Sequence, residues 1–92
     1  MQDWNEHLKR LLKSEMAKKG VKNAELADRL SQLGIDINTT SLSNKISRGT
    51  FSATFFMQCL YVLGCHNLEI ISPYKTNSER DEFYKNLYKK NK

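Results

Sequence analysis

The apolar residues fall into runs with helical spacing, and each of the chain's four glycines stands at the end of one. In the first run Leu8, Leu11, Leu12 and Met16 recur at intervals of three and four, the period of one helix face. Asp3 stands ahead of it with Glu6 three positions on, the arrangement of a capping box. Lys18 and Lys19 suit the negative end of a helix dipole, and Gly20 is a C-terminal stop. The pattern predicts a helix over residues 4–19. A second helix is expected over residues 23–33, with Leu26, Ala27, Leu30 and Leu33 as its buried stripe and Gly34 as its end. The small Ala27 lets a neighbouring helix approach closely.

Ile35, Asp36 and Ile37 form a short link. Asn38 or Thr39 then caps a third helix that reaches Ser47 or Arg48 and stops at Gly49. Its only large apolar residues are Leu42 and Ile46, one turn apart, so it has a narrow inner face and a wide polar outer face. The fourth helix has the clearest start. Ser52 is the cap, and Phe51 and Phe56 are placed to form a hydrophobic staple across it. Phe56, Leu60 and Leu63 are expected to face the core, flanked by Phe55, Cys59 and Val62, with Gly64 as the stop.

Past Gly64 the character changes. Residues 68–71 are β-prone and closed by Pro73. They would pair with a two-fold mate or cover the core edge. Ser78, Glu79, Arg80 and Asp81 resemble another helix start. Phe83, Tyr84, Leu87 and Tyr88 follow as an apolar–aromatic stripe, ending in Lys89, Lys90 and Lys92. The fold class is therefore all-α: a compact four- to five-helix bundle containing a helix-turn-helix, with a short C-terminal strand and an extra helix as candidate additions. A helix-turn-helix domain is expected over residues 1–66 and a C-terminal extension, suited to dimerisation, over 67–92.

Composition narrows the partner. A chain of 92 residues is one domain with a thin core, which pairing with a second copy would help. The net charge of +5 and pI of about 9.3 suit an anionic partner, most commonly nucleic acid. Fifteen cations against ten anions would also fit an ordinary solvated surface. The opening residues MQDWNEHLKR hold no apolar stretch of the signal-peptide kind. No run approaches the roughly 18 apolar residues of a membrane span. A cytoplasmic protein without a membrane role is expected.

On a projection at about 100° per residue, Leu42 and Ile46 point inward. Thr40, Asn44, Ser47 and Arg48 point outward, flanked by Ser41, Ser43 and Lys45. A slim helix of this kind fits the major groove, where base edges are distinguishable. Asn44 can pair with adenine in bidentate fashion, and Thr40 offers a hydroxyl and a methyl for a thymine methyl. Arg48 and Lys45 can hold guanine or phosphate, while Ser41 and Ser43 suit phosphate oxygens. The plain alternative is a solvated face rich in Ser and Thr.

The stretch LKRLLKSEMAKKGVKNAELADRLSQLGIDINTTSLSNKISRGTFSATFFMQCLYVLG resembles the XRE/phage-repressor helix-turn-helix family. The resemblance rests on the Leu-rich first helix, Gly20 before helix 2, the Leu26-Ala27 pair, Ile46-Ser47-Arg48-Gly49 closing helix 3, and the helix ending Leu63-Gly64. The segment NKISRGTFSATFF is also similar to a little-characterised bacterial domain family of this type. The resemblance covers residues 4–64. It implies that helix 3 lies in the major groove, that Asn23 at the start of helix 2 contacts phosphate, and that Thr40, Ser41 and Asn44 reach bases. Base contacts are thus expected from Thr40, Ser41, Asn44 and Arg48. Phosphate contacts are expected from Lys22, Asn23, Ser43, Lys45 and Ser47. The sequence departs from the family in three places. Lys22 replaces the usual Ser or Thr cap of helix 2, which invites Asn23 to cap instead. The link to helix 3 is longer than usual. Ser47 stands where an acidic residue commonly precedes the closing Arg-Gly.

Other chemistry is poorly supplied. Cys59, Cys65 and His66 match no common zinc spacing, and Cys59 is expected in the core. His7 is expected at the surface. No catalytic residue, metal or cofactor is assigned. Lys9, Lys13, Lys18 and Lys19 on helix 1 would form either an apron for the DNA backbone or a solvated face. Lys85, Lys89 and Lys90 with Tyr84 and Tyr88 would bind nucleic acid or, more simply, belong to a dimerising or core-covering helix. The function these observations favour is sequence-specific binding of double-stranded DNA by a small repressor acting as a homodimer. Two alternatives stand beside it. One is a protein-interaction module of antitoxin or inhibitor type, gripping a partner through its C-terminal third. The other is an RNA binder using the basic aromatic tail.

Overall fold

All four glycine-terminated runs are helices in the structure, a computed structural model that describes residues 3–68, 70 and 85–87. They are α1 (Trp4–Lys19), α2 (Asn23–Gln32), α3 (Thr39–Arg48) and α4 (Ala53–Leu63). Residues 85–87 are also helical, and the described residues contain no strand. The protein is a small all-α bundle.

Side-chain caps set three of the four starts. The Asp3 carboxylate accepts from the Asn5 and Glu6 amides. Asn38 Oδ1 accepts from the Ser41 amide at 2.7 Å, and Ser52 Oγ from the Phe55 amide at 3.0 Å. Each satisfies a helix-end donor that would otherwise lack a partner. The predicted box at α1 is half formed, because Glu6 turns instead to Lys9 at 3.0 Å and Arg10 at 3.3 Å. Phe51 and Phe56 do form the staple, with ring centroids 5.9 Å apart.

The core runs through all four helices. Leu12, Leu26, Leu30, Leu42, Ile46 and Cys59 are fully buried at its centre. Met16, Val21, Ala27, Phe51, Phe55 and Leu63 complete it. α1 and α2 each pack against both α3 and α4. No described helix is long and apolar enough to cross a membrane.

Four expectations need correction. Leu33 is exposed rather than part of the α2 stripe. α2 ends one residue early, and the Ile35 amide reaches back to the Leu30 carbonyl at 2.9 Å across Gly34, whose φ is +99°. That turn, of the Schellman type, brings Ile35 onto the core in place of Leu33. α4 is rotated from its predicted face. Phe55, Cys59, Leu60 and Leu63 are buried, while Phe56 is only half-buried. Phe51 meets both rings, with centroids 5.8 Å from Phe55 and 5.9 Å from Phe56. His7 is buried, not superficial. Its ring lies edge-on to Trp4 with centroids 5.5 Å apart, and Nε2 donates to the Ile70 carbonyl. Leu68 and Ile70 are irregular rather than strand. The remaining readings of the extension, from Pro73 through the basic end, lie outside the described residues, apart from Lys85 and Leu87 in their short helical stretch.

Candidate nucleic-acid interface

α3 is held by two side chains. Leu42 and Ile46 have 0% and 2% of their surface exposed, and every other side chain of the helix is at least partly accessible. Thr40, Ser41, Asn44, Lys45, Ser47 and Arg48 are exposed, and Ser43 is half-buried. The helix carries no acidic residue. The structure thus gathers the predicted α3 residues onto one outer surface of hydroxyls, an amide and two cations.

The predicted contacts at the start of α2 fall into place differently. Lys22 is the N-cap residue and is exposed, with no side-chain hydrogen bond to the helix end. Asn23 does not cap α2. It is the first helical residue, and its amide Nδ2 donates to Ser43 Oγ at 2.8 Å. Two predicted phosphate contacts are therefore tied to each other across the α2–α3 corner. The Ser43 hydroxyl accepts this bond through a lone pair and keeps its own proton to donate. A phosphate oxygen beside the corner is a suitable acceptor.

The cations near α3 are individually oriented. Lys45 Nζ sits 5.4 Å from the centroid of the Phe55 ring, a cation–π contact that steadies the ammonium group. Arg48 lies in the last turn, next to Gly49. Lys9 reaches across from α1. Its Nζ lies 3.0 Å from Glu6 and 3.5 Å from the Ser47 carbonyl. Of the helix 1 lysines, Lys18 pairs with Glu15 at 3.0 Å, and Lys13 and Lys19 are exposed. The apron is therefore uneven, and Lys9 is the lysine of α1 that touches α3 among the described residues.

Sequence reasoning missed the fit between Gly49 and α1. Gly49 is buried, and a Cβ placed on it would lie 2.6 Å from the Asn5 carbonyl oxygen. The start of α1 thus packs directly onto the end of α3, and with Lys9 it fixes where that end points. The only signal in the sequence was the glycine, already explained by its role as a stop.

The cysteines have inert surroundings. Burial pushes the Cys59 thiol up to about 12. Cys65 is also raised, by burial and by the Glu15 carboxylate beside it. For Glu15, burial works to raise the carboxyl. Hydrogen bonds from Lys18 and Cys65 outweigh it and hold the group below its ordinary value. His66 is exposed, and no three His, Cys, Asp or Glu side chains gather as metal ligands among the described residues.

Fold and surface together define a class: a small helical bundle that displays one slim polar helix on its outside. The chain belongs to the DUF6471 family, a domain of unknown function, which it matches over residues 4–68. No curated protein and no solved structure matches it.

Proposed function

We propose that this protein binds double-stranded DNA in a sequence-specific manner, as a small cytoplasmic transcriptional repressor of the XRE/phage helix-turn-helix type that acts as a homodimer and catalyses nothing itself. The observation that carries the reading is the two-point anchoring of α3. With only Leu42 and Ile46 buried, the helix can enter a major groove without losing core contacts. Thr40, Ser41, Asn44 and Arg48 are the base readers: the two hydroxyls and the amide can donate to and accept from base edges, and the Arg48 guanidinium can donate to them. Lys22, Ser43, Lys45 and Ser47 hold the flanking phosphates, which fix register without reading sequence. Asn23 acts through Ser43, whose hydroxyl it orients.

Selection from a pool of random duplexes at near-physiological salt tests this. The expected result is a palindromic site with half-sites about one helical turn apart and affinity that falls with added salt. Recovery of no site, or weak duplex affinity indifferent to salt, overturns the reading and favours the protein-interaction module. Preference for single-stranded RNA over duplex overturns it in favour of the RNA binder.

A further inference from the structure

α4 presents a second surface of opposite chemistry. In a chain with 27% charged residues and a net charge of +5, residues 49–65 contain no Asp, Glu, Lys, Arg or His. The inner side of α4 is spent on Phe55, Cys59, Leu60 and Leu63. Its outer side shows Ala53, Thr54, Met57 and Tyr61 to solvent, with Met57 63% and Tyr61 73% exposed. Met57 and Tyr61 each lie two residues from the buried Cys59, hence about 160° round the helix from it. Ala53, Met57 and Tyr61 form a single row at intervals of four, the commonest ridge in helix–helix packing.

We propose that this uncharged ridge is where two copies of the protein meet. Charge selects the occupant. Nucleic acid or an acidic peptide would find no cation on the ridge, and a basic peptide no anion. A second copy carries the same +5 and is repelled at the charged faces, whereas here neither copy presents a charge. The ridge is also self-complementary. In an antiparallel two-fold pairing centred near Met57, Tyr61 of one copy lies over Ala53 of the other, whose methyl leaves room for the ring, and the reverse contact forms at the same time. The two Met57 side chains, flexible and polarizable, fill the space at the axis. α4 packs against α1 and α2 through its other sides.

Sedimentation equilibrium on the full chain, wild type and variants, tests the proposal. The wild type is expected to dimerise, with a melting temperature that rises with protein concentration. Tyr61→Lys and Met57→Lys each bury a cation in the interface and are expected to weaken the dimer by at least tenfold, about 1.4 kcal/mol or more. Tyr61→Phe keeps the ring and is expected to remain dimeric. Circular dichroism confirms that each variant keeps its helices, which it should because these side chains face solvent. A wild type that stays monomeric at all accessible concentrations overturns the proposal, whether the ridge is then held by another protein or by the chain's own C-terminal part. Dimerisation unchanged by both lysine variants also overturns it. The inference rests on the homodimer of the proposed function and places its interface on α4. Duplex selection that fails beside an α4 dimer sinks the DNA reading and leaves the interface, whereas a monomer that selects a site sinks the α4 dimer and leaves base reading by α3.

Discussion

Gly49 is under two constraints, and they can be separated. Its φ of +66° is a left-handed conformation that Gly20, at +67°, shares. Any L side chain in that conformation costs about 1–2 kcal/mol. Gly20 has open space around it, whereas a methyl at Gly49 would meet the Asn5 carbonyl oxygen at 2.6 Å. Urea unfolding should therefore show Gly49→Ala to be clearly more destabilising than Gly20→Ala, by at least about 1 kcal/mol, the scale of an overpacked contact. Equal losses would mean that α1 does not seat on the end of α3. Glu15 governs a different observable. Its folded-state value is lowered, so it contributes stability above its ordinary value of 4.5 and that contribution is lost as pH falls through the lower folded value. Glu15→Gln should flatten the acid side of the stability–pH curve while changing little of its shape near neutrality. An acid limb as steep as the wild type's would show that Glu15 does not drive it.

Individual helices differ in what holds them. α4 is anchored by a broad apolar face, so loss of its cap in Ser52→Ala should cost about 1 kcal/mol and leave the helix in place. α3 has only Leu42 and Ile46. Asn38→Ala should cost a similar amount of global stability, and hydrogen exchange should also quicken selectively at the start of α3. Uniform quickening across all helices would argue against this local weakness. The same contrast explains what was legible in the sequence. Helix starts and stops were readable because a cap and a glycine act within a few residues, as at Asp3, Asn38, Ser52 and Gly49. The outward face of α3 was readable because two aliphatic residues among polar ones leave one orientation. The rotation of α4 was not. Nearly every position in ATFFMQCLYVL is apolar, so periodicity left Phe55 and Phe56 equivalent; Phe51 meets both rings, and only the packing of α4 on α1 and α2 separates them. Leu33 was misplaced because the Gly34 turn, a local backbone event, delivers Ile35 to the core instead. The burial of His7 and the Asn23–Ser43 bond depend on residues far apart in the chain, and no local pattern encodes them.

Taken whole, the molecule separates its chemistry by face. Cations and hydroxyls surround α3, acidic groups on α2 are occupied by neighbours such as Arg29 at 2.7 Å from Glu25 and Gln32 at 3.0 Å from Asp28, and the outer ridge of α4 is uncharged. This division assigns separate readouts to separate residues. Lys22→Ala and Lys45→Ala should weaken binding to all duplexes alike, each lowering the slope of log affinity against log salt by about 1. The central claim, that the exposed side of α3 reads bases, is tested most directly by measuring the affinity of wild type and Asn44→Ala for the selected site and for each of its single-base variants. Asn44→Ala should erase about 1–3 kcal/mol of discrimination at one position in each half-site, with unfolding unchanged and preference elsewhere retained. A variant that discriminates at every position as the wild type does would contradict it.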